Sequence, residues 1–562
     1  MSDQRPPEEP PASVPPPPAP DAMQPVAPPM THEPRSRAAT IALLAGAAVV
    51  LLAVVGASAA YFLLRGSPEA VLTKVPSGAD FVAVAHLDPA ASQKMNLFRL
   101  TEKFPDLGSE EQLTQKVNGM LDDALSGSGL THEDLGWVGG EVGGYADVGA
   151  GSPSYAVMIA SDDNGAASAA LQKTRDTSGT TYTSSTTDGV EVWSPASSDQ
   201  PTEAIVDDTV VLASSPEAMQ TVITTSNGDT TIQDDATFTG VMDKLPDDNL
   251  GFVYVNVGSI ASLANLIPGQ TGGLGSQLDA YQGAAFSISA QSDGLALDSA
   301  MTTDPSKLTA AQRDALGSGP NPLLALTPSD AFAVMTSSGI GSALEDSVTQ
   351  FAQLGPGPAR TIERLGLIGP NGVLQHLTGD LGLQVGPGSG LLPVGGTAMV
   401  GIDDASAVQD WLDKHLPSLL AQAEVPGLSS GSLKTEEYQG VRITYGATAT
   451  TPIAWGVVDR ALVVGLSAKA VEQAVDLSQG NGSSITSNGD FTSATDGLPG
   501  TQTLLYVDVG GILTAVQGFL PNDVYQEFLD NGGRNLQPIK AVVAGSSSSE
   551  TVSTYRLFIE VP

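Results

Sequence analysis

The chain has 562 residues, no cysteine, and 62 acidic against 24 basic side chains, which gives a formal net charge of −38. The lack of cysteine excludes disulfides, thiol catalysis and zinc–thiolate sites. A surface of this charge repels phosphate backbones and therefore disfavours a nucleic-acid partner. Weak binding of divalent cations fits the charge, although hydration of an acidic surface is the favoured explanation.

The first segment, residues 1–37, is rich in proline and includes the run "RPPEEPPASVPPPPAPDAMQPVAPP". It has almost no aliphatic side chain to bury, so we expect a disordered cytoplasmic tail with local polyproline II character. A partner with an aromatic groove could dock on this tail, but a flexible spacer is the favoured interpretation.

The second segment, residues 38–64, contains no charged residue. A helix of this length, at about 1.5 Å per residue, exceeds the ~30 Å hydrocarbon core, which predicts a single transmembrane helix. Arg35 and Arg37 precede it, so the positive-inside rule places the N-terminus in the cytoplasm and residues 65–562 outside the cell membrane. Cleavage near Ala59 is the alternative, but the region before it is too long for a signal peptide.

The remaining segment predicts strands and helices in an order that occurs twice. In the first copy, the alternating run "ADFVAVAHL" predicts a strand, and "NLFRLTEKF" and "SEEQLTQKVNGMLDDAL" predict helices. The second copy opens on "DAFAVMTSS" and continues with the helical run "GSALEDSVTQFAQL". Phe238 and Tyr254 return as Phe491 and Tyr506 at a spacing of about 250 residues, as expected of a duplication.

The two repeats span residues 68–304 and 318–562, with a Pro- and Gly-rich stretch at 302–322 as the joint. Short connections, such as the hairpin signal Asp188-Gly189, favour antiparallel pairing. Helices interspersed among such hairpins predict an α+β fold, a mainly antiparallel sheet with helices on one face. The sequence leaves open whether the repeats form two domains or one continuous sheet.

The run "VPSGADFVAVAHLDP" followed by "EDLGWVGGEVGGYADV" resembles a bacterial family of membrane-anchored proteins known only as domain of unknown function 3352. The resemblance covers residues 68–560. The second copy departs from the pattern, because "LTGDLGLQV" has no counterpart of Trp137. The resemblance implies a location and an architecture but no catalytic residues. The Ala-, Gly-, Asp- and Thr-rich composition is also similar to that of actinobacterial proteins.

Histidines are the first candidate ligands. His86 and Asp88 form an H-x-D pair on the first predicted strand, but a metal site needs a third ligand and second-shell support. A hydrogen-bonded strand end is therefore the favoured interpretation. The remaining histidines are isolated in the sequence: His32, His132, His376 and His415.

Acidic turns precede predicted helices in both copies, at Asp162–Asp163 and Asp403–Asp404. Side-chain caps of those helices explain them. The acidic loops 227–235 and 487–497 allow weak divalent cation binding, although no EF-hand pattern occurs. No G-x-S-x-G elbow precedes a helix, and no phosphate loop is present. We therefore assign no catalytic, cofactor-binding or metal-binding residue.

These observations favour a binding or scaffolding module of the cell envelope rather than an enzyme, because no acid–base or nucleophilic constellation is visible. The expected partners are the membrane, through residues 38–64, and an envelope protein. A carrier of an apolar, lipid-like ligand is the first alternative, since antiparallel sheets with helical covers can enclose a cleft. An envelope hydrolase with an unrecognised site is the second.

Overall fold

The computed structural model describes residues 70–104, 110–148, 153–259, 278–314, 316, 319–339, 341–353, 355–369, 372–388, 394–422, 433–446 and 453–562. The predicted tail, 1–37, and the predicted membrane helix, 38–64, lie outside these residues. Within the described part, no helix is long and apolar enough to cross a bilayer. The expected fold class, which combined a transmembrane helix with a sheet covered on one face, is corrected to one antiparallel sheet of twenty described strands with helices on both faces.

The first half of the described chain, β1 to β10, begins after a short 3-10 helix, Leu72–Lys74. Its strands are β1 Phe81–His86, β2 Val138–Asp147, β3 Ser154–Ser161, β4 Tyr182–Thr187, β5 Val190–Pro195, β6 Thr202–Val206, β7 Thr209–Ala213, β8 Gly251–Asn256, β9 Tyr281–Gln291 and β10 Gly294–Thr303. Its α-helices are α1 Ala91–Thr101, α2 Glu110–Leu125, α3 Asn164–Ser178, α4 Pro216–Ser226, α5 Ala236–Met242 and α6 Ala310–Asp314, the last leading into the second half.

The second half, β11 to β20, begins after the 3-10 helix Pro322–Leu326. Its strands are β11 Ala333–Ser337, β12 Leu377–Pro387, β13 Val394–Ile402, β14 Leu433–Tyr438, β15 Val441–Gly446, β16 Ala454–Val458, β17 Ala461–Gly465, β18 Thr503–Asp508, β19 Ala541–Ser548 and β20 Val552–Glu560. Its α-helices are α7 Gly341–Gln353, α8 Pro356–Arg364, α9 Ala405–Gln422, α10 Ala468–Ser478, α11 Gly489–Thr495, α12 Val509–Phe519 and α13 Asn522–Asp530.

All twenty described strands belong to one antiparallel sheet. Strand pairing gives the order β4-β5-β6-β7-β3-β2-β1-β8-β9-β10-β20-β19-β18-β11-β12-β13-β17-β16-β15-β14. Each strand of the first half has its counterpart ten strands later, and the second half repeats the order in reverse. An approximate two-fold axis therefore passes between β10 and β20, and the sequence's open question is answered by one continuous sheet.

The junction of the halves is the pair β10–β20, in which Asp298 lies directly opposite Arg556. The equivalent residues Tyr254 and Tyr506 lead across the strand pairing to Ala300 and Phe558. Asp298 and Arg556 each lie two residues before these, so they hold equivalent positions in the two halves. The Arg556 guanidinium donates to both carboxylate oxygens of Asp298, from Nε at 2.6 Å and from Nη2 at 3.3 Å. The approximate axis thus passes through an ion pair that two identical residues could not form.

Equivalent hairpin turns recur in the two halves. Asp188 (φ 49°) and Gln439 (φ 47°) each precede a glycine in the turns β4–β5 and β14–β15. Asp207 (φ 52°) and Asp459 (φ 51°) hold the same left-handed conformation in β6–β7 and β16–β17. This conformation matches the twist of two-residue hairpins. The hairpin predicted at Asp188-Gly189 is confirmed.

One face of the sheet, here called the inner face, carries the larger part of the core under α4, α5, α10 and α11. Phe238 of α5 meets Tyr254 of β8 edge-on, with ring centroids 5.1 Å apart. Phe491 of α11 meets Tyr506 of β18 at the same 5.1 Å. The two aromatic pairs that recur in the sequence therefore occupy equivalent places in the core.

Helices also lie on the opposite, outer face. Ala167 of α3 packs with Val210 of β7, whereas the next residue of that strand, Val211, packs into the inner core with Met219 of α4. Helices α1 and α9 contribute to outer clusters in the same way. The expectation of helices on one face is therefore wrong. Successive residues of a strand point to opposite faces, and both sets are apolar here.

Candidate functional site

The centre of the outer face is accessible. From β3 across to β17, inner positions are mostly buried, and most large side chains at outer positions are half-buried or exposed. Nine large apolar side chains on this face are between 37% and 52% exposed: Tyr155, Val157, Phe286, Leu297, Met335, Leu383, Val385, Val394 and Val464. They occur in both halves of the sheet.

The cross-strand register joins four of these nine side chains into one row, here called the apolar band. Met335 of β11 lies opposite Leu383 of β12 on one side and Leu505 of β18 on the other. Strands lie about 4.8 Å apart, so a row over nine strands is about 40 Å long. In sheet order the row reads Val464, Ala398, Leu383, Met335, Leu505, Ala544, Leu557, Leu297 and Ile288.

Within the described strands, the centre of the same face carries no charged side chain. At the outer positions of the described strands from β7 to β17 there is no Asp, Glu, Lys or Arg. Charged residues of these strands, such as Asp298 and Arg556, have the opposite orientation. In a chain of net charge −38, a charge-free band is a departure from the rest of the surface.

A buried ion pair closes one end of the outer face. Glu203 of β6 is 2% exposed and accepts a hydrogen bond from Arg175 of α3 at 2.8 Å. The Arg175 guanidinium lies over the Trp193 ring, 4.4 Å from its centroid. Burial raises the pKa of Glu203, and the bond from Arg175 opposes that rise. The pair therefore fixes helix α3 over β5 and β6, at one end of the sheet.

A cavity of about 370 Å³ lies in the second half beside a β-bulge of β12. The register of β12 shifts between Leu377 and Leu381, and Thr378 and Asp380 of this bulge line the cavity. Asp459 and Arg460, from the turn between β16 and β17, line it as well. Its walls therefore combine two carboxylates and a guanidinium with aliphatic side chains. Bulges often redirect side chains beside functional sites.

The first half has the same bulge, between Val138 and Val142 of β2, but a different arrangement at it. Glu141 is 2% exposed, and its Oε2 accepts the backbone N–H groups of Ala70 at 2.7 Å and Val71 at 2.8 Å. Sequence analysis missed this buried carboxylate, and its only signal there is a glutamate within a run of glycines and valines.

The H-x-D pair does not form a ligand set. His86 Nδ1 lies 3.6 Å from Oε1 of Glu141, whereas Asp88 forms an ion pair with Lys94. In the part of the chain that the structure covers, no three His, Asp or Glu side chains are placed to hold a metal ion.

The other histidines have local partners, apart from His32, which lies outside the described residues. Hydrogen bonds from the backbone and ring of His132 lower the pKa of Asp122. His376 Nδ1 lies 3.2 Å from Asp403 Oδ1, and the His415 ring stacks near Trp411. The Asp403 N–H donates to the His376 carbonyl as the Asp162 N–H donates to the Trp137 carbonyl. His376 is therefore the second-half counterpart of Trp137, which the sequence did not reveal.

The acidic turns are helix caps. Asp163 accepts the N–H groups of Gly165 and Ala166 at the start of α3, and Asp404 accepts that of Ala407 at the start of α9. The acidic loops act in the same way, because Asp235 and Asn488 cap α5 and α11. These contacts account for the acidic turns locally.

The model of one protein family matches residues 44–385 and 395–550. The chain belongs to that family, described as a protein of unknown function, DUF3352. The resemblance read from the "DLGWVGGEVGG" run is thereby confirmed, while an actinobacterial origin stays a prediction. No curated protein matches this DUF3352 chain.

Among solved structures, this DUF3352 protein is similar to TP0453. Crystal form III of TP0453 aligns at 12% identity and a TM-score of 0.25, over 44% of this chain and 85% of that one. Crystal form I aligns at 13% identity and a TM-score of 0.23, over 43% and 82%. At these scores the likeness supports no conclusion about fold or function.

Proposed function

We propose that this DUF3352 protein is a binding or scaffolding module that docks an envelope protein on the outer face of its sheet. The observation that carries the proposal is the charge-free apolar band around Met335 and Leu383, in a chain of net charge −38. Contiguous apolar surface of this kind is typical of interaction sites rather than of free surface.

The chemistry of the band defines the partner. Its centre offers aliphatic and aromatic side chains with few polar groups, so the partner surface must be apolar and uncharged at its centre. The chain as a whole is acidic, with a net charge of −38, so a basic rim on the partner would complement it. A second copy of the same acidic chain would bring like charges together, which disfavours self-association.

Site-specific photo-crosslinking in cells tests this proposal. A photoreactive residue at Met335 should give a protein adduct of one defined mass, and the substitution Leu383→Asp should abolish that adduct. The same photoreactive residue at Ser184, exposed on the end strand β4, is the matched control and should give none.

Three results contradict the docking of an envelope protein. An adduct of twice the chain mass indicates self-association, and lipid retained in native mass spectrometry indicates the carrier alternative. An adduct at Met335 that survives Leu383→Asp shows that the band is not the binding surface.

The sequence-based location, with residues 65–562 outside the cell membrane, stays a prediction. Protease added to spheroplasts should digest this part of the chain. Its complete protection would contradict the location. The carrier and the envelope hydrolase remain the alternatives to the proposed function.

A further inference from the structure

The two halves of the sheet supply a comparison within one chain, and they differ at the cavity beside β12. Backbone pairing aligns the two sites: Ile232 N–H donates to the Val75 carbonyl, and Ile485 N–H donates to that of Thr327. The residues just before these carbonyls, Lys74 and Leu326, are therefore equivalent. Both end the 3-10 helices that precede β1 and β11.

In the first half, a lysine ammonium fills the site. Lys74 is 6% exposed, and its Nζ donates to the Ala70 carbonyl at 3.3 Å. The same Nζ lies 3.8 Å from Oδ2 of Asp207, which also accepts the Ser226 hydroxyl at 2.8 Å. Glu141 holds the backbone of this segment, as described above. The Lys74 ammonium and the Asp207 carboxylate therefore find their partners within the chain.

In the second half, the acceptors remain but the ammonium is gone. Asp459 stands in the same left-handed turn position as Asp207, and Ser478 ends α10 as Ser226 ends α4. Leu326 replaces the lysine and lines the cavity with Asp459 and Ser478. The Ser478 hydroxyl here donates to the Val475 carbonyl and not to the aspartate.

The anchoring carboxylate has also changed its partners. Asp380 lies in the bulge of β12 as Glu141 lies in that of β2. Pro322, in the place of Ala70, has no N–H to donate, and the Leu323 N–H is taken by Asn321 at 2.9 Å. Asp380 instead accepts the Thr378 hydroxyl at 2.8 Å and lines the cavity.

We propose that this cavity binds a short primary alkylammonium ligand. Its ammonium group takes the place that the Lys74 ammonium holds in the first half and pairs with Asp459 and Asp380. Its alkyl chain packs against Leu326 and Leu477, which line the same cavity. An ammonium is a compact donor of three hydrogen bonds, which suits a carboxylate pair beside a hydroxyl. The site is distinct from the apolar band proposed for protein docking.

Titration calorimetry of the purified full-length chain with n-pentylammonium, at neutral pH and physiological salt, tests the site. We expect saturable binding of one ligand per chain. The neutral analogue 1-pentanol and the anion pentanoate should bind at least about tenfold more weakly, because neither can pair with a carboxylate. Equal binding of pentanoate would assign the cavity to Arg460 and overturn the proposal.

Variants separate this site from general attraction of cations to an acidic protein. Asp459→Asn should weaken binding about tenfold or more, whereas the matched variant in the first half, Asp207→Asn, should leave it unchanged. Leu326→Lys supplies the ammonium from within the chain and should abolish binding. An unchanged thermal midpoint, or a higher one, shows that this variant is folded. Pentylammonium binding that persists in folded Leu326→Lys, or that is lost equally in Asp207→Asn, refutes the inference.

Discussion

The ion pair between Asp298 and Arg556 offers a direct test of the approximate two-fold axis. Because the two residues hold equivalent and facing positions, exchanging them should rebuild the pair. Asp298→Arg alone places two guanidinium groups face to face, and Arg556→Asp alone places two carboxylates face to face. The double variant restores opposite charges across the same pair of strands.

The magnitudes follow from burial. The Asp298 side chain is 10% exposed and that of Arg556 is 25% exposed, so solvent screens the pair only in part. Breaking a buried pair costs about 3–5 kcal/mol, and we expect each single variant to lose at least about 3 kcal/mol of unfolding free energy. The exchange also forfeits the bond from Arg556 Nη1 to the Gly497 carbonyl at 3.0 Å, which is worth about 1 kcal/mol. The double variant should therefore lose only about 1 kcal/mol.

Urea denaturation followed by circular dichroism measures these differences, with the slope of each transition compared to confirm that the same surface unfolds. An exchange variant as unstable as the single variants would refute the symmetry argument. Single variants within about 0.5 kcal/mol of the parent would show that the pair behaves as an exposed surface pair.

Two further predictions concern buried polar groups of the first half. Glu141→Ala leaves the N–H groups of Ala70 and Val71 without their acceptor and should lower the unfolding free energy by about 2–4 kcal/mol, measured by urea denaturation. Glu141→Gln keeps an acceptor and should lose less unfolding free energy. Equal losses in the two variants would contradict this account. Burial raises the pKa of Tyr145 to about 12 from an ordinary value of 10.0, so the folded state keeps a proton that the unfolded state loses first. Stability is then fully retained below pH 10 and falls as the pH rises towards 12, by up to about 2–3 kcal/mol at 1.36 kcal/mol per pKa unit. Tyr145→Phe should reduce this alkaline loss, and an unchanged pH profile in urea denaturation would contradict the prediction.

Local chemistry was readable from the sequence because it depends on neighbouring residues. Asp163 and Asp404 cap helices as predicted, since a cap needs only an acceptor before the first turn. The Asp188 turn was readable for the same reason. The recurrence of Phe238 and Tyr254 as Phe491 and Tyr506 also survived as equivalent core pairs. The repeat boundaries, 68–304 and 318–562, stay predictions.

The candidate sites depended on contacts that no local pattern encodes. Glu141 meets Ala70 across 71 positions of the chain, and Asp298 meets Arg556 across 258. Helices α3 and α4 lie on opposite faces because α3 covers Val210 and α4 covers its neighbour Val211. Both residues are apolar, so the sequence did not distinguish the two faces.

By itself, the sequence of this DUF3352 protein determined its acidic surface, its family and a twice-used order of strands and helices, because composition and periodicity are properties of the chain alone. Only the tertiary structure decided that β10 and β20 join the halves into one sheet, and that its outer centre is apolar and uncharged. The tertiary structure also decided that Leu326 lines a cavity in the second half, where the equivalent Lys74 of the first half is buried and hydrogen-bonded. Each of these depends on register between distant strands, which a linear pattern leaves undetermined.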